Sequence, residues 1–199
     1  MAMRRFGFFR LRIDPIAAAV LLGLLVSEKL ATVAALALAV AWHEAGHLSA
    51  ARLLGIRVEE VEFGLLGARI RVSGILSYRA EGLLAAAGPA ASFCGALLAA
   101  PFASTVFFGQ VCALSLILGV LNLLPVRSFD GGRILYCLLA ARGGEALFAP
   151  VLRCVSFAFL TLIWAFSVYL LLRAGSGVSW LGFSASLLFR FFEENRSAF

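Results

Sequence analysis

The chain alternates long apolar runs with short basic loops. The runs occupy residues 13–26, 30–51, 82–103, 105–126, 151–172 and 178–189. A helix needs about 20 apolar residues to cross the hydrocarbon core of a bilayer. Four of the runs meet that length, and the first and last are short enough to need tilt, local thinning or flanking residues. Six spans is the count this pattern favours, with four or five as the alternatives. One interior stretch breaks the pattern, 55–79, GIRVEEVEFGLLGARIRVSGILSYR. In ARIRV the arginines alternate with Ile70 and Val72, which is the period of a strand. IRVEEVEF reads as an earlier strand, and GLLG joins the two as a hairpin; the other reading is a solvated loop with incidental alternation. The expected fold is therefore an all-α polytopic membrane protein of about six transmembrane helices, with a small cytoplasmic β-hairpin or sheet at 55–79 after the second. Residues 1–199 form one domain, with spans at about 13–26, 30–54, 82–103, 105–126, 151–172 and 178–189.

Composition agrees with a bilayer as solvent. Hydrophobic residues make up 62% and charged residues 14%, and the mean hydropathy is +0.99. A soluble domain has about 45–50% and about 25%. Cytoplasmic loops of membrane proteins hold the excess of Lys and Arg. With the N-terminus inside and six alternating spans, 15 of the 17 basic residues fall inside, leaving Lys29 and Arg173 outside. Both termini are then cytoplasmic. The net charge of +6 follows from topology and from contact with anionic lipid heads, and nothing reads as a nucleic-acid surface. The first run also resembles the apolar region of a signal peptide, but SEKLA follows it instead of an A-x-A-like cleavage site. Cys94, Cys112, Cys137 and Cys154 form no C-x-x-C pair and read as buried thiols that behave as small hydrophobes.

Polar residues inside the apolar runs carry the chemistry. Gly88-Pro89 interrupts the third run; it is either a break that lines a polar cavity or a packing kink with small residues at a helix contact. The fourth run ends in LNLLPVRSFDGGRIL, an irregular polar segment near membrane depth that needs a site to line, with Asp130 in a Gly-rich turn whose paired glycines allow backbone geometries that other residues cannot take. The second run contains HEAGH, with the only two histidines of the chain, His43 and His47. On a helix, positions i and i+4 share a face, so both imidazoles can bind one ion. Polar side chains near the bilayer centre cost about 2.5–3.5 kcal/mol each on insertion scales, and a bound metal is the compensation that explains them. Glu44 is placed to reach a metal-bound water as general base and later proton donor. Catalytic zinc needs a third protein ligand. Asp14 reads as a boundary residue and the glutamates lie at span ends or in loops, which leaves Asp130 as the best candidate. His43 lies about 14 Å along the helix from Arg52, inside the bilayer but nearer the cytoplasm.

HEAGH on an early span, GPAAS on a later one and LNLLP…FDGG at the end of the next resemble the site-2 proteases, which are intramembrane zinc metalloproteases. The likeness runs over roughly residues 10–192 and is greatest to their sporulation branch, the stage IV sporulation protein FB type, which cleaves a membrane-associated pro-sigma factor. It implies one Zn2+ per chain held by His43, His47 and Asp130, with Glu44 as the catalytic glutamate. The family's asparagine falls on Asn122, where a side-chain amide would hold substrate or stabilise the charged intermediate. The implied partners are a membrane-associated protein substrate of the pro-sigma or anti-sigma factor type, the lipid bilayer and an inhibitory membrane protein. The implied location is the bacterial cell membrane, in multi-pass form. Ser128 and Ser92 stand where the family often has proline and asparagine, and no PDZ or CBS domain is expected within residues 1–199. Two other classes use the same residues without hydrolysis: a membrane metal-binding or transport protein, and a catalytically inactive scaffold.

Overall fold

The computed structural model describes residues 10–13, 29–64, 67–143, 145–174 and 178–196. Most of it is helical. Helix α1 (Leu30–Leu53) carries HEAGH, α2 (Tyr78–Ala99) carries GPAAS, and a short 3-10 turn (Ala100–Phe102) leads from it to α3 (Val106–Asn122). Helices α4 (Asp130–Ala140), α5 (Glu145–Ala174) and α6 (Val178–Arg196) follow. Among the described residues two helical segments are long and apolar enough to cross a membrane, Tyr78–Phe102 and Ala149–Arg173; Val106–Asn122 is apolar but shorter. Helix α1 has 24 residues, but His43, Glu44 and His47 lower its hydropathy. Most of the run expected as a first span, 13–26, lies outside the described residues.

The β segment is a three-stranded sheet in the order β1 (Arg10–Ile13), β2 (Val58–Gly64), β3 (Gly67–Val72). The hairpin β2–β3 lies where the alternation of ARIRV placed it, and its strands are antiparallel. Strand β1 pairs parallel to β2 and adds to the expected pair. In register, Leu11, Val61 and Ile70 fall in one row, and Arg12, Glu62 and Arg69 in the next. Helix α1 meets this sheet through a tight stop. The Ile56 N–H reaches back to the Ala51 carbonyl at 2.8 Å, and Gly55 takes the left-handed conformation at φ 69°, which closes a helix at little steric cost.

Small residues set the depth of helix packing. A Cβ at Gly46 of α1 would lie 2.5 Å from Ala91 Cβ and closer still to the Ala87 carbonyl oxygen of α2, so the two backbones touch. Ala35, Ala99 and Val111 close one end of the α1–α2–α3 contact. Val126 and Phe129, in the segment before α4, pack with Leu160, Leu187 and Phe191 of α5 and α6. The FDGG segment departs from the turn expected of it, because Asp130 opens α4. Its paired glycines are absent from the positive-φ positions, which among the described glycines are Gly55, Gly74 and Gly143. What they supply is clearance. A Cβ at Gly131 would lie 2.6 Å from the Leu124 carbonyl oxygen and closer to that of Leu123, and one at Gly132 would lie 2.8 Å from Arg127 N.

Candidate metal centre

His43, Glu44 and His47 are buried in α1, a helix most of whose other buried residues are alanines, and the two histidines face Leu84 and Ser92 of α2 and Asp130 of α4. Asp130 reaches the same point from the first turn of α4. That position also suits a carboxylate electrostatically, since the N-terminus of a helix carries partial positive charge. The Nε2 atoms of His43 and His47 are 3.2 Å apart, and Asp130 Oδ2 is 3.2 Å from each. All three residues are nearly excluded from solvent.

These three atoms suit a metal ion. The second ring nitrogen of each imidazole is already engaged: Nδ1 of His47 lies 2.8 Å from the Leu84 carbonyl oxygen and Nδ1 of His43 lies 2.8 Å from Ser92 Oγ. A carbonyl only accepts, so Nδ1 of neutral His47 carries the proton and its Nε2 presents a lone pair. Among the described residues Asp130 Oδ2 receives no hydrogen bond, although both nitrogens are near it. Lone pairs converging in a buried site repel unless a cation sits between them. The centre of a regular tetrahedron with edges of this length lies about 2.0 Å from its corners, which is the bond length of zinc to imidazole nitrogen and carboxylate oxygen. His43, His47 and Asp130 can therefore hold one metal ion, with a fourth position left for a reacting molecule.

The remaining expected residues stand nearby to different degrees. Glu44 is buried beside His43 on α1. Asn122 is buried at the last position of α3, and its side-chain amide donates to the Leu118 carbonyl of its own helix at 3.0 Å. Any role for that amide toward a reacting atom requires exchange of this bond. Gly88-Pro89 does not break α2, which runs through Pro89. Among the cysteines Cys137 is buried; burial, and after it the Glu81 carboxylate, push its thiol up, which favours the neutral thiol over the nucleophilic thiolate. Cys94 and Cys154 are exposed, against the expectation that all four would be buried, and a bilayer around these helices is what would cover them.

Comparison with known proteins bears on the fold and on part of the sequence. Residues 100–166 match the model of Peptidase family M50, a stretch that includes Asn122 and Asp130 but not the histidine pair. No curated protein matches the chain. Among solved structures the chain is similar to the site-2 protease from Methanocaldococcus jannaschii, with a TM-score of 0.66 and 20% identity over 98% of this chain and 95% of that one. The chain thus has the fold of a site-2 protease, and its segment from the end of α2 through most of α5 matches the M50 peptidases.

Proposed function

We propose that the chain is an intramembrane zinc metalloendopeptidase that hydrolyses a peptide bond in or near the membrane segment of a membrane-associated protein. The observation that carries this reading is the buried triangle of His43, His47 and Asp130 with Glu44 one residue away, set among apolar helices. Zinc held by the three ligands would supply Lewis acidity at the scissile carbonyl. Glu44 accepts the proton of the attacking water and returns it to the leaving nitrogen. Asn122, released from Leu118, donates its amide hydrogen to the developing oxyanion.

A substrate helix must unwind before its backbone can be cut. The outer edge of β3 has no partner strand among the described residues, and an extended peptide can pair along such an edge. Substrate docking there is part of the proposal. Crosslinks from a trapped substrate should map to residues 67–72, and crosslinks confined to other segments would remove the sheet from the mechanism.

The arginine asymmetry supports cytoplasmic termini and a cytoplasmic sheet in a bacterial cell membrane, with six spans. Pro-sigma or anti-sigma factors are the substrate class we favour, the sporulation type first, with an inhibitory membrane protein as regulator. The test is a reconstituted digestion of a tagged pro-sigma-type membrane substrate, with the products mapped by mass spectrometry. Wild type should cut once in or beside the membrane segment, and Glu44→Gln should leave the substrate whole. Equal cutting by Glu44→Gln would overturn the mechanism.

A further inference from the structure

Residues 84, 88 and 92 are spaced by four, so they lie in one line along α2. All three are buried, and each meets the histidine pair in a different way. The Leu84 carbonyl oxygen is 2.8 Å from Nδ1 of His47. Ser92 Oγ is 2.8 Å from Nδ1 of His43, and Ser92 is fully shut off from solvent. Between them Gly88 faces the other side of both rings. A Cβ there would lie 2.7 Å from Nε2 of His43 and 2.5 Å from Cε1 of His47, and closer still to Nε2 of His47. That is the space beside the ligand nitrogens. Helix α3 backs the arrangement, since a Cβ at Gly119 would lie 3.2 Å from Ser92 Cβ.

We propose that the Leu84–Gly88–Ser92 line of α2 is the positioning half of the metal centre. Ser92 is the positioning residue for His43, accepting from Nδ1–H so that Nε2 keeps its lone pair turned inward. The backbone of Leu84 does the same for His47. Gly88 keeps clear the volume that the ion and its fourth partner occupy. Groups that orient a metal-binding imidazole through its other nitrogen raise metal affinity by about 10–100-fold. The two histidines differ in one respect that can be measured: one is held by a replaceable side chain, the other by a backbone carbonyl that substitution leaves in place.

This inference rests on the metal reading above, and the experiment separates the two. Zinc affinity of the full chain in detergent is measured by competition with a chromogenic chelator, for wild type, Ser92→Ala and Gly88→Ala. Ser115→Ala and Gly182→Ala are the controls. Ser115 is a buried serine of α3, and a Cβ at Gly182 of α6 meets nothing within 4 Å. Nitrogen-15 spectra of the imidazoles in the zinc-free protein report the tautomers. Ser92→Ala should bind zinc about 10–100-fold more weakly and lose the Nδ1–H tautomer at His43 while His47 keeps its own. Gly88→Ala should take up no zinc at 100 times the wild-type Kd, with unchanged helicity, and both controls should match wild type. Wild-type affinity in Ser92→Ala with an unchanged His43 spectrum would overturn the role of Ser92, and full uptake by Gly88→Ala would overturn that of Gly88. If wild type itself bound no zinc, the metal reading would fall, and this inference with it.

Discussion

Replacing Gly131 by alanine tests what fixes the third ligand. The added Cβ would lie 2.6 Å from the Leu124 carbonyl oxygen and nearer still to the carbonyl of Leu123. All of these are backbone atoms, so no side chain can rotate away. Ordinary contact requires α4 and the 123–127 segment to separate by about 1 Å, and overpacking of this kind costs about 1–3 kcal/mol. Asp130 is the neighbouring residue, and its Oδ2 sits 3.2 Å from both histidine nitrogens. Metal sites tolerate about 0.2 Å in ligand distance, so a shift several times larger takes the carboxylate out of reach. Gly131→Ala should therefore lower zinc affinity by about 10–100-fold, the range found when the support of a metal ligand is disturbed. Gly182→Ala in α6, where an added Cβ meets nothing within 4 Å, should bind zinc as wild type does. Affinity would be read by chelator competition and stability by thermal unfolding in detergent. Wild-type zinc affinity in Gly131→Ala would show that the close approach of α4 to the 123–127 backbone does not set the position of Asp130.

Three further outcomes follow from the same contacts. Gly46→Ala should destabilise the protein by about 1–3 kcal/mol, seen as a lower melting temperature, because its Cβ meets the Ala87 carbonyl and Ala91. Excess chelator should lower the melting temperature of wild type and leave that of Asp130→Ala unchanged, since a ligand at 100 times its Kd adds about 2.7 kcal/mol to the folded state. Cysteines introduced at Arg57 and Arg142, in a cysteine-free background, should label only from the cytoplasmic side of sealed cells; labelling from outside would reverse the orientation.

Much of the site could be read from the chain because its signals are local. HEAGH needs only the helical repeat to place two imidazoles on one face, and α1 is that helix. Asp130 emerged by elimination in a chain with two aspartates, and the fold brings it to the histidines across 83 residues of sequence. The β2–β3 hairpin announced itself by alternation, whereas β1 did not. RLRI lies in an arginine cluster, and its parallel partner is far along the chain, so short-range pattern gave it no voice. The glycines were seen but assigned the wrong task. Gly131 and Gly132 looked like turn residues because their use, clearance from carbonyls six to eight positions earlier, depends on how α4 docks. Ser92 stood out only as a departure from the asparagine common in similar proteins, and its contact with His43 requires the α1–α2 packing that Gly46 permits. Spacing of Leu84, Gly88 and Ser92 by four was the signal available, but such a line on an apolar helix ordinarily means packing alone.

The central claim, that His43, His47 and Asp130 hold zinc and Glu44 drives hydrolysis, is tested most directly by measuring zinc content and substrate cleavage in one reconstituted preparation. Wild type, Glu44→Gln and Asp130→Ala would be compared. The expected result is about one zinc per chain with cleavage for wild type, zinc without cleavage for Glu44→Gln, and neither for Asp130→Ala. Zinc retained in Asp130→Ala, or cleavage retained in Glu44→Gln, would contradict it.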